Sequence, residues 1–489
     1  MSKEIDYRKI RQALATLSPA PAHQADTPPE IKDIFAPRGH EGALDPERIL
    51  VVGGRGVGKS FWSGALLNDN TRDFVSKFYP RLGLDSCRVA LGYSGTDLIE
   101  NGPPSQEMLD DLVEKDGFKP EIIWRAVVLH CLRAYIDIEL PAKWRGKSGL
   151  VAWAEEDAER LQGTLRAADQ RLVKDGLRLI IVFDALDRLG DNWVQIRERS
   201  KGLMRVALAF RAYKAIKLKI FMRVDQAEDK FLVNFPDASK LIGAKVDLTW
   251  ERKDLFGLLF SLLVNHTSAG IPFQQLIDAC LGKKPDAEKR NGLPFELMES
   301  EQKQIDVFTM MAGQYMGSDP RRGKTYTWVH NHLADAFGLV SPRSFLEAFR
   351  AAAERGDQVI NKVLDPKGLQ YGLQVASELR VTQLREEYGW IGAALEPLAD
   401  LRVPCEERAL FERWQEKNTI IEIERSAKKE GFLEPVEFTS DGGDLLRSLL
   451  DAMRRIGVAE LRTDGRVNMP DIYRVAAKLL RMGGVKPRR

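Results

Sequence analysis

Residues 49–61 read ILVVGGRGVGKSF, and no other stretch constrains the folding of this chain as tightly. Ile49, Leu50, Val51 and Val52 are consecutively apolar, as a short strand buried on both faces would be. They run into Gly53, Gly54, Arg55, Gly56, Val57, Gly58, Lys59 and Ser60, a full match to the P-loop pattern G-x-x-x-x-G-K-[ST]. The glycines allow the tight turn that points successive N–H groups into one concavity, which suits the β-phosphate of a nucleotide. In such a loop Lys59 reaches the β- and γ-phosphate oxygens, and the Ser60 hydroxyl holds Mg²⁺. A helix opening here, with Phe61, Trp62, Leu66 and Leu67 on its apolar face, adds a positive N-terminal end. The competing reading is a glycine-rich turn that binds nothing. The flanking strand and helix argue against a chance match, so the chain is expected to bind a nucleoside triphosphate.

Residues 179–183 (LIIVF) form a second continuously apolar run, and it ends in Asp184. An apolar strand ending in aspartate downstream of a P-loop is the Walker B arrangement, in which Asp184 holds Mg²⁺ directly or through water. A buried carboxylate needs such compensation. The competing reading makes Asp184 a helix cap. Many hydrolysing ATPases carry glutamate at the next position to orient the attacking water. Here that residue is Ala185, so either Asp187 takes over the task or turnover is slow. Arg223, near the end of the fourth expected strand, either reads the γ-phosphate with its fork of donors or pairs with Asp184, Asp187 or Asp225. Ser341 and Pro342 mark a helix start. Arg343 then places a cation against the helix dipole, at a cost of roughly 0.3–1 kcal/mol. It faces a bound anion or stands solvated.

With 489 residues, the length prior is about three domains. A hydrophobic content of 44% and a charged content of 29% describe an ordinary soluble chain, and a net charge of +2 gives no global pull toward nucleic acid or membrane. Cys87, Cys131, Cys280 and Cys405 lie far apart, without zinc spacing, and read as reduced thiols. The N-terminus lacks an apolar signal core and no apolar run reaches membrane-spanning length. The expected location is cytoplasmic.

Alternation of strands and helices over residues 46–250 predicts an α/β P-loop NTPase core with a parallel sheet. Its strands are expected at 49–52, 87–93, 179–183, 217–224 and 244–248. Residues 1–45 read as a short amphipathic helix followed by a proline-rich strap. Helices dominate 251–365, read as a lid domain, and 366–434, read as a connector. Residues 435–489 show a helix, a hairpin around Asp464 and Gly465, and a returning helix over 472–480, an order suited to a winged-helix module. The acidic stretch 97–117 reads as a solvated loop and helix face, and the region 282–300 as the most loop-like stretch of its half.

Other chemistries fail on specifics. A guanine site needs Asn-Lys-x-Asp, and Asn361-Lys362-Val363-Leu364-Asp365 is one residue too long. No LSGGQ-type signature is present. His330 and His332 diverge on a helix and make a poor metal pair.

These residues resemble the STAND and KAP branches of P-loop ATPases, relatives of AAA+ initiators of the origin-recognition type. FDALDR (183–188) is similar to the KAP Walker B, departing at Ala185. KIFMR (219–223) looks like the STAND sensor strand, and SPRSF (341–345) resembles the lid motif. The terminal DGRVNMPDIYRVA…RMGGVKP looks like the winged-helix end of bacterial ATPases found in mobile or defence islands. The resemblance implies ATP as the nucleotide, oligomerisation, a switch role, and a sensor strand lying between the P-loop and Walker B strands. Three functions follow: a slowly hydrolysing regulatory ATPase that controls a protein partner, an ATP-dependent DNA-binding or loading factor, and a non-hydrolysing scaffold. From Arg454 onward ten Lys/Arg stand against three Asp/Glu, which suits phosphate contacts to duplex DNA through Arg466 and residues 486–489.

Overall fold

The computed structural model describes residues 5–17, 28–96, 102–282, 289–290, 292–355, 360–439 and 443–487. It divides into two compact units, residues 22–249 and residues 1–21 together with 250–489. The N-terminal helix Tyr7–Thr16 therefore folds with the C-terminal half rather than with the strap that follows it in sequence.

The first unit is built on a five-stranded sheet of β1 (Leu50–Val52), β2 (Cys87–Tyr93), β3 (Arg178–Phe183), β4 (Ile216–Met222) and β5 (Val246–Asp247). The order across the sheet is β2-β3-β4-β1-β5, and every pairing is parallel. Parallel strands cannot be joined by tight hairpins, so helical crossovers connect them; β1 and residues 179–183 of β3 read as unbroken apolar runs, whereas the central β4 carries Lys217 and Lys219. β4 lies between the P-loop strand and β3, pairing Leu50 with Ile220 on one side and Ile181 with Leu218 on the other. The expected strand at 217–224 starts and stops earlier: Met222 ends β4, and Val224 opens the short helix Val224–Ala227. The expected fifth strand shrinks to two residues.

Helices Pro120–Cys131 and Trp193–Phe210 pack together against this core. Trp124 sits edge-on to both Tyr93 and Phe183, with ring centroids 6.0 and 5.7 Å apart, and donates its indole N–H to the Arg199 carbonyl at 2.9 Å. Burying rings of this size contributes roughly 1.5–3 kcal/mol each. The helical stretch 150–174 is two helices, Leu150–Glu156 and Ala158–Lys174. Asp157 breaks it, because its carboxylate caps the N–H groups of Glu159 and Arg160 and thereby starts a new helix.

In the second unit, Phe256, Phe308, Tyr326, Phe345 and Phe349 form an aromatic cluster, with Phe256 stacked on Tyr326 at 4.0 Å. Arg11, from the N-terminal helix, donates to the carbonyl oxygens of Lys362 and Val363. The string that failed as a guanine motif thus holds an arginine with its backbone. The region read as a helical connector, 366–434, holds the helices Pro366–Glu387, Ile391–Leu395, Glu407–Glu416 and Thr419–Glu430. Near the C-terminus, Leu445–Arg455 leads into a hairpin of Glu460–Leu461 and Val467–Asn468. The returning helix is a single turn, Asp471–Arg474, shorter than the expected 472–480. Val467 exchanges two backbone hydrogen bonds with Cys405, and Leu480 bonds to Leu401 and Val403, so residues 401–405 are part of this module. Among the described residues no helix is long and apolar enough to cross a membrane.

Candidate nucleotide site

Strand β1 delivers Gly53 to the carboxyl edge of the sheet, where its N–H bonds the Met222 carbonyl of β4 at 3.1 Å. A side chain at Gly53 would meet Val57 Cγ2 at 2.7 Å and the Leu248 carbonyl oxygen at 3.2 Å, so only glycine fits this close approach. Gly58 takes φ 105°, a left-handed turn that releases the chain into helix Lys59–Leu67. Lys59 Nζ curls back over the loop and donates to the Gly53 and Gly54 carbonyl oxygens, each at 2.8 Å. These two bonds hold the ammonium across the loop mouth formed by Gly53, Gly54, Arg55, Gly56, Val57 and Gly58. Phe61 packs edge-on to Trp62 at 5.2 Å and fixes the first helical turn.

Asp184 follows β3 at the same edge and is only 3% exposed. The Ser60 hydroxyl hydrogen-bonds to its carboxylate, and the Ala185 N–H donates to Oδ1 at 2.8 Å. Burial pushes the Asp184 carboxyl above the usual carboxylate range, while Ser60, Ala185 and the Lys59 charge pull the other way. Ser60 and Asp184 stand 124 positions apart in sequence and meet here. One hydroxyl and one buried carboxylate are a donor set that suits Mg²⁺, which binds through few protein oxygens and keeps its waters.

Ala185 adopts φ 56°, ψ 42° and turns the chain into the 3-10 turn Leu186–Arg188. This left-handed kink brings Asp187 back toward the sheet edge, near enough to Asp184 to disfavour its charge. Arg223, directly after β4, meets Asp187 there, with Nη1 to Oδ2 at 3.5 Å. Its Nε and Nη2 donate to the two oxygens of Asp225 at 3.0 and 2.7 Å. Of the three carboxylates weighed from the sequence, Arg223 pairs with Asp225 and Asp187.

Arg343 lies in the first turn of Pro342–Glu354, where Ser341 Oγ caps the Ser344 N–H at 3.3 Å, within the second unit. His332 pairs with Asp471 at 3.7 Å and bonds the Trp328 carbonyl, and no cluster of His, Cys, Asp or Glu able to hold a metal occurs among the described residues. In the C-terminal segment Arg454, Arg455, Arg466, Arg474 and Arg481 each pair with an acidic residue, whereas Arg462, Lys478 and Lys486 are exposed. Arg488 and Arg489 lie outside the described residues.

Two groups escaped the sequence reading. His40, from the strap, is fully buried and bonds Trp62 on the P-loop helix. Gln226, three residues after Arg223, is buried with neither end of its amide hydrogen-bonded among the described residues. Neither carries a local signal, because both depend on which distant segments close over them.

No protein-family model matches the chain, and no curated protein matches it. Among the solved structures similar to the chain are three at 12% identity each. The Aeropyrum pernix ORC2 protein in ADPNP–ADP complexes covers 91% of this chain and 92% of its own, with a TM-score of 0.36. The Aeropyrum pernix ORC1 protein in complex with DNA covers 96% and 94%, with a TM-score of 0.34. Cdc6p from Pyrobaculum aerophilum covers 87% and 84%, with a TM-score of 0.28. At this identity and these scores the likeness is too loose to carry a statement about the site.

Proposed function

We propose that the first unit binds ATP with Mg²⁺ and turns it over slowly, acting as a nucleotide-dependent switch for a protein partner or for further copies of the chain. The observation that carries this reading is the meeting of Ser60 with Asp184 at the mouth of a loop already spanned by Lys59. Ser60 and Asp184 would hold the metal, which when bound neutralises phosphate charge. Lys59 exchanges its two carbonyl bonds for phosphate oxygens, a charge-assisted replacement that strengthens the contact. The backbone N–H groups from Gly54 to Ser60 cradle the phosphates. Ala185 offers no group to orient water, so that task falls to Asp187, which the kink at Ala185 returns to the edge. Asp187 stands three residues past Asp184 rather than directly after it, an indirect placement for holding water, which makes turnover slow and lets the ATP form persist.

Calorimetric titration with Mg-ATP tests this. Lys59→Ala should lose at least a hundredfold in affinity while the chain stays folded, with a melting transition as cooperative as that of wild type. Equal affinity in wild type and variant overturns the assignment.

A second reading, contact with duplex DNA through the C-terminal segment, is favoured by the exposed Arg462, Lys478 and Lys486. Three phosphate contacts predict that log affinity falls against log salt with a slope of about −3. Absence of binding by the full chain at low salt assigns this segment to protein contacts.

A further inference from the structure

We propose that Asp225 is a positioning residue that fixes the guanidinium of Arg223 and thereby sets the preference of this site for a nucleoside triphosphate over a diphosphate. The inference rests on the nucleotide reading above and concerns the same site. Arg223 leaves β4 at the strand adjoining both the P-loop strand and the Asp184 strand, so its side chain belongs to the edge where a terminal phosphate would lie. A guanidinium has five donors in one plane, and fixing one edge of the plane aims the other. Asp225 fixes the Nε–Nη2 edge in a two-point pair, at 3.0 and 2.7 Å. Both partners are removed from water, with side chains 11% and 6% exposed. Pairing of this kind is strong and geometrically specific.

The remaining edge, Nη1, is directed toward Asp187, where the contact is long at 3.5 Å. A long contact of that kind is readily exchanged for a better acceptor. A terminal phosphate oxygen is such an acceptor, and a diphosphate has none at that depth. Asp225 and Asp187 therefore do different work on one arginine. Asp225 holds it permanently, and Asp187 yields to the ligand. The turn that carries Asp225 also buries Gln226 with both amide ends unpaired among the described residues. Unsatisfied buried groups cost stability and persist where a segment is kept for binding.

The test is titration of the full chain with Mg-ATP and Mg-ADP, for wild type, Asp225→Asn, Asp225→Glu, Arg223→Lys and the double variant Arg223→Lys with Asp225→Asn. Wild type should prefer ATP. Asp225→Asn should cut the ATP:ADP affinity ratio about tenfold while leaving ADP affinity within twofold, and Asp225→Glu should recover part of the loss. Arg223→Lys keeps the charge but loses the fork, so it should match Asp225→Asn, and the double variant should be no worse than either alone. A ratio unmoved or raised in Asp225→Asn overturns the inference and leaves nucleotide binding standing. Should Asp225→Asn fail to fold, an unmoved ratio in Arg223→Lys overturns it equally. A wild-type chain that binds neither nucleotide overturns the nucleotide reading itself, and the inference with it.

Discussion

The indole N–H of Trp62 donates to Nδ1 of His40 at 3.0 Å, with the two rings edge-to-face at 5.7 Å. An indole nitrogen can only donate, so Nδ1 is the acceptor and the imidazole proton sits on Nε2. Nε2 then donates to the Thr249 carbonyl at 2.9 Å. One neutral histidine thus ties the strap, the P-loop helix and the last residue of the first unit together, with both nitrogens committed.

Acid should loosen this tie. Burial pushes His40 down from 6.5 to about 4, the Thr249 bond opposing only in part. The folded value lies below the unfolded one, so on acidification the unfolded chain takes up the proton first. The stabilisation is complete above pH 6.5 and is lost as pH falls through 4. A displacement of this size corresponds to about 3 kcal/mol. Denaturant melts of wild type and His40→Gln between pH 7 and pH 4 should show the difference between them shrinking by about that amount.

Lys219, inside β4, donates to the carbonyl oxygens of Ala43, Asp45 and Arg48 at 2.9, 2.9 and 2.8 Å and is fully buried. Lys219→Met removes the donors and leaves the Ala43 and Arg48 carbonyls without this partner, while Asp45 keeps the Arg48 N–H, which should destabilise the chain by about 3 kcal/mol. Burial also pushes Lys219 down to about 7 from 10.5, so the penalty of its charge is complete below pH 7 and relieved as pH rises toward 10.5. Melts at pH 7 and pH 9 should therefore show the wild type gaining further on the variant at the higher pH.

Asp187 should prove the carboxylate that limits turnover. Asp187→Ala is expected to lower steady-state ATP hydrolysis tenfold or more while Mg-ATP affinity stays within threefold. Ala185→Glu should not restore the lost rate when combined with it, because a side chain leaving a left-handed backbone residue points away from the extended direction of β3. Turnover unchanged in Asp187→Ala would show that water is oriented elsewhere.

The local elements were legible in the chain because each is dictated by neighbours in sequence. Apolar runs at 50–52 and 179–183 can only be buried strands, and β2 matches its expected bounds of Cys87–Tyr93. The loop from Gly53 to Ser60 follows from glycine spacing and from the helix that Lys59 opens. The hairpin around Gly465 forms where its turn residues indicate, and Gly465 takes φ 81°.

What the tertiary structure decided are the long-range choices. Parallel strands pair through crossovers, so no local pattern dictates that β4 inserts between β1 and β3. Three carboxylates were open to Arg223, and Asp225 took it because the turn after β4 buries both together. Asp187 reached the edge through the left-handed kink at Ala185, a conformation its side chain does not announce. Tyr7–Thr16 left the strap for the C-terminal half because Arg11 finds its acceptors there, at Lys362 and Val363. Strand and turn propensities act over a few residues. The partner of a buried charge is settled only when segments hundreds of residues apart exclude water around it.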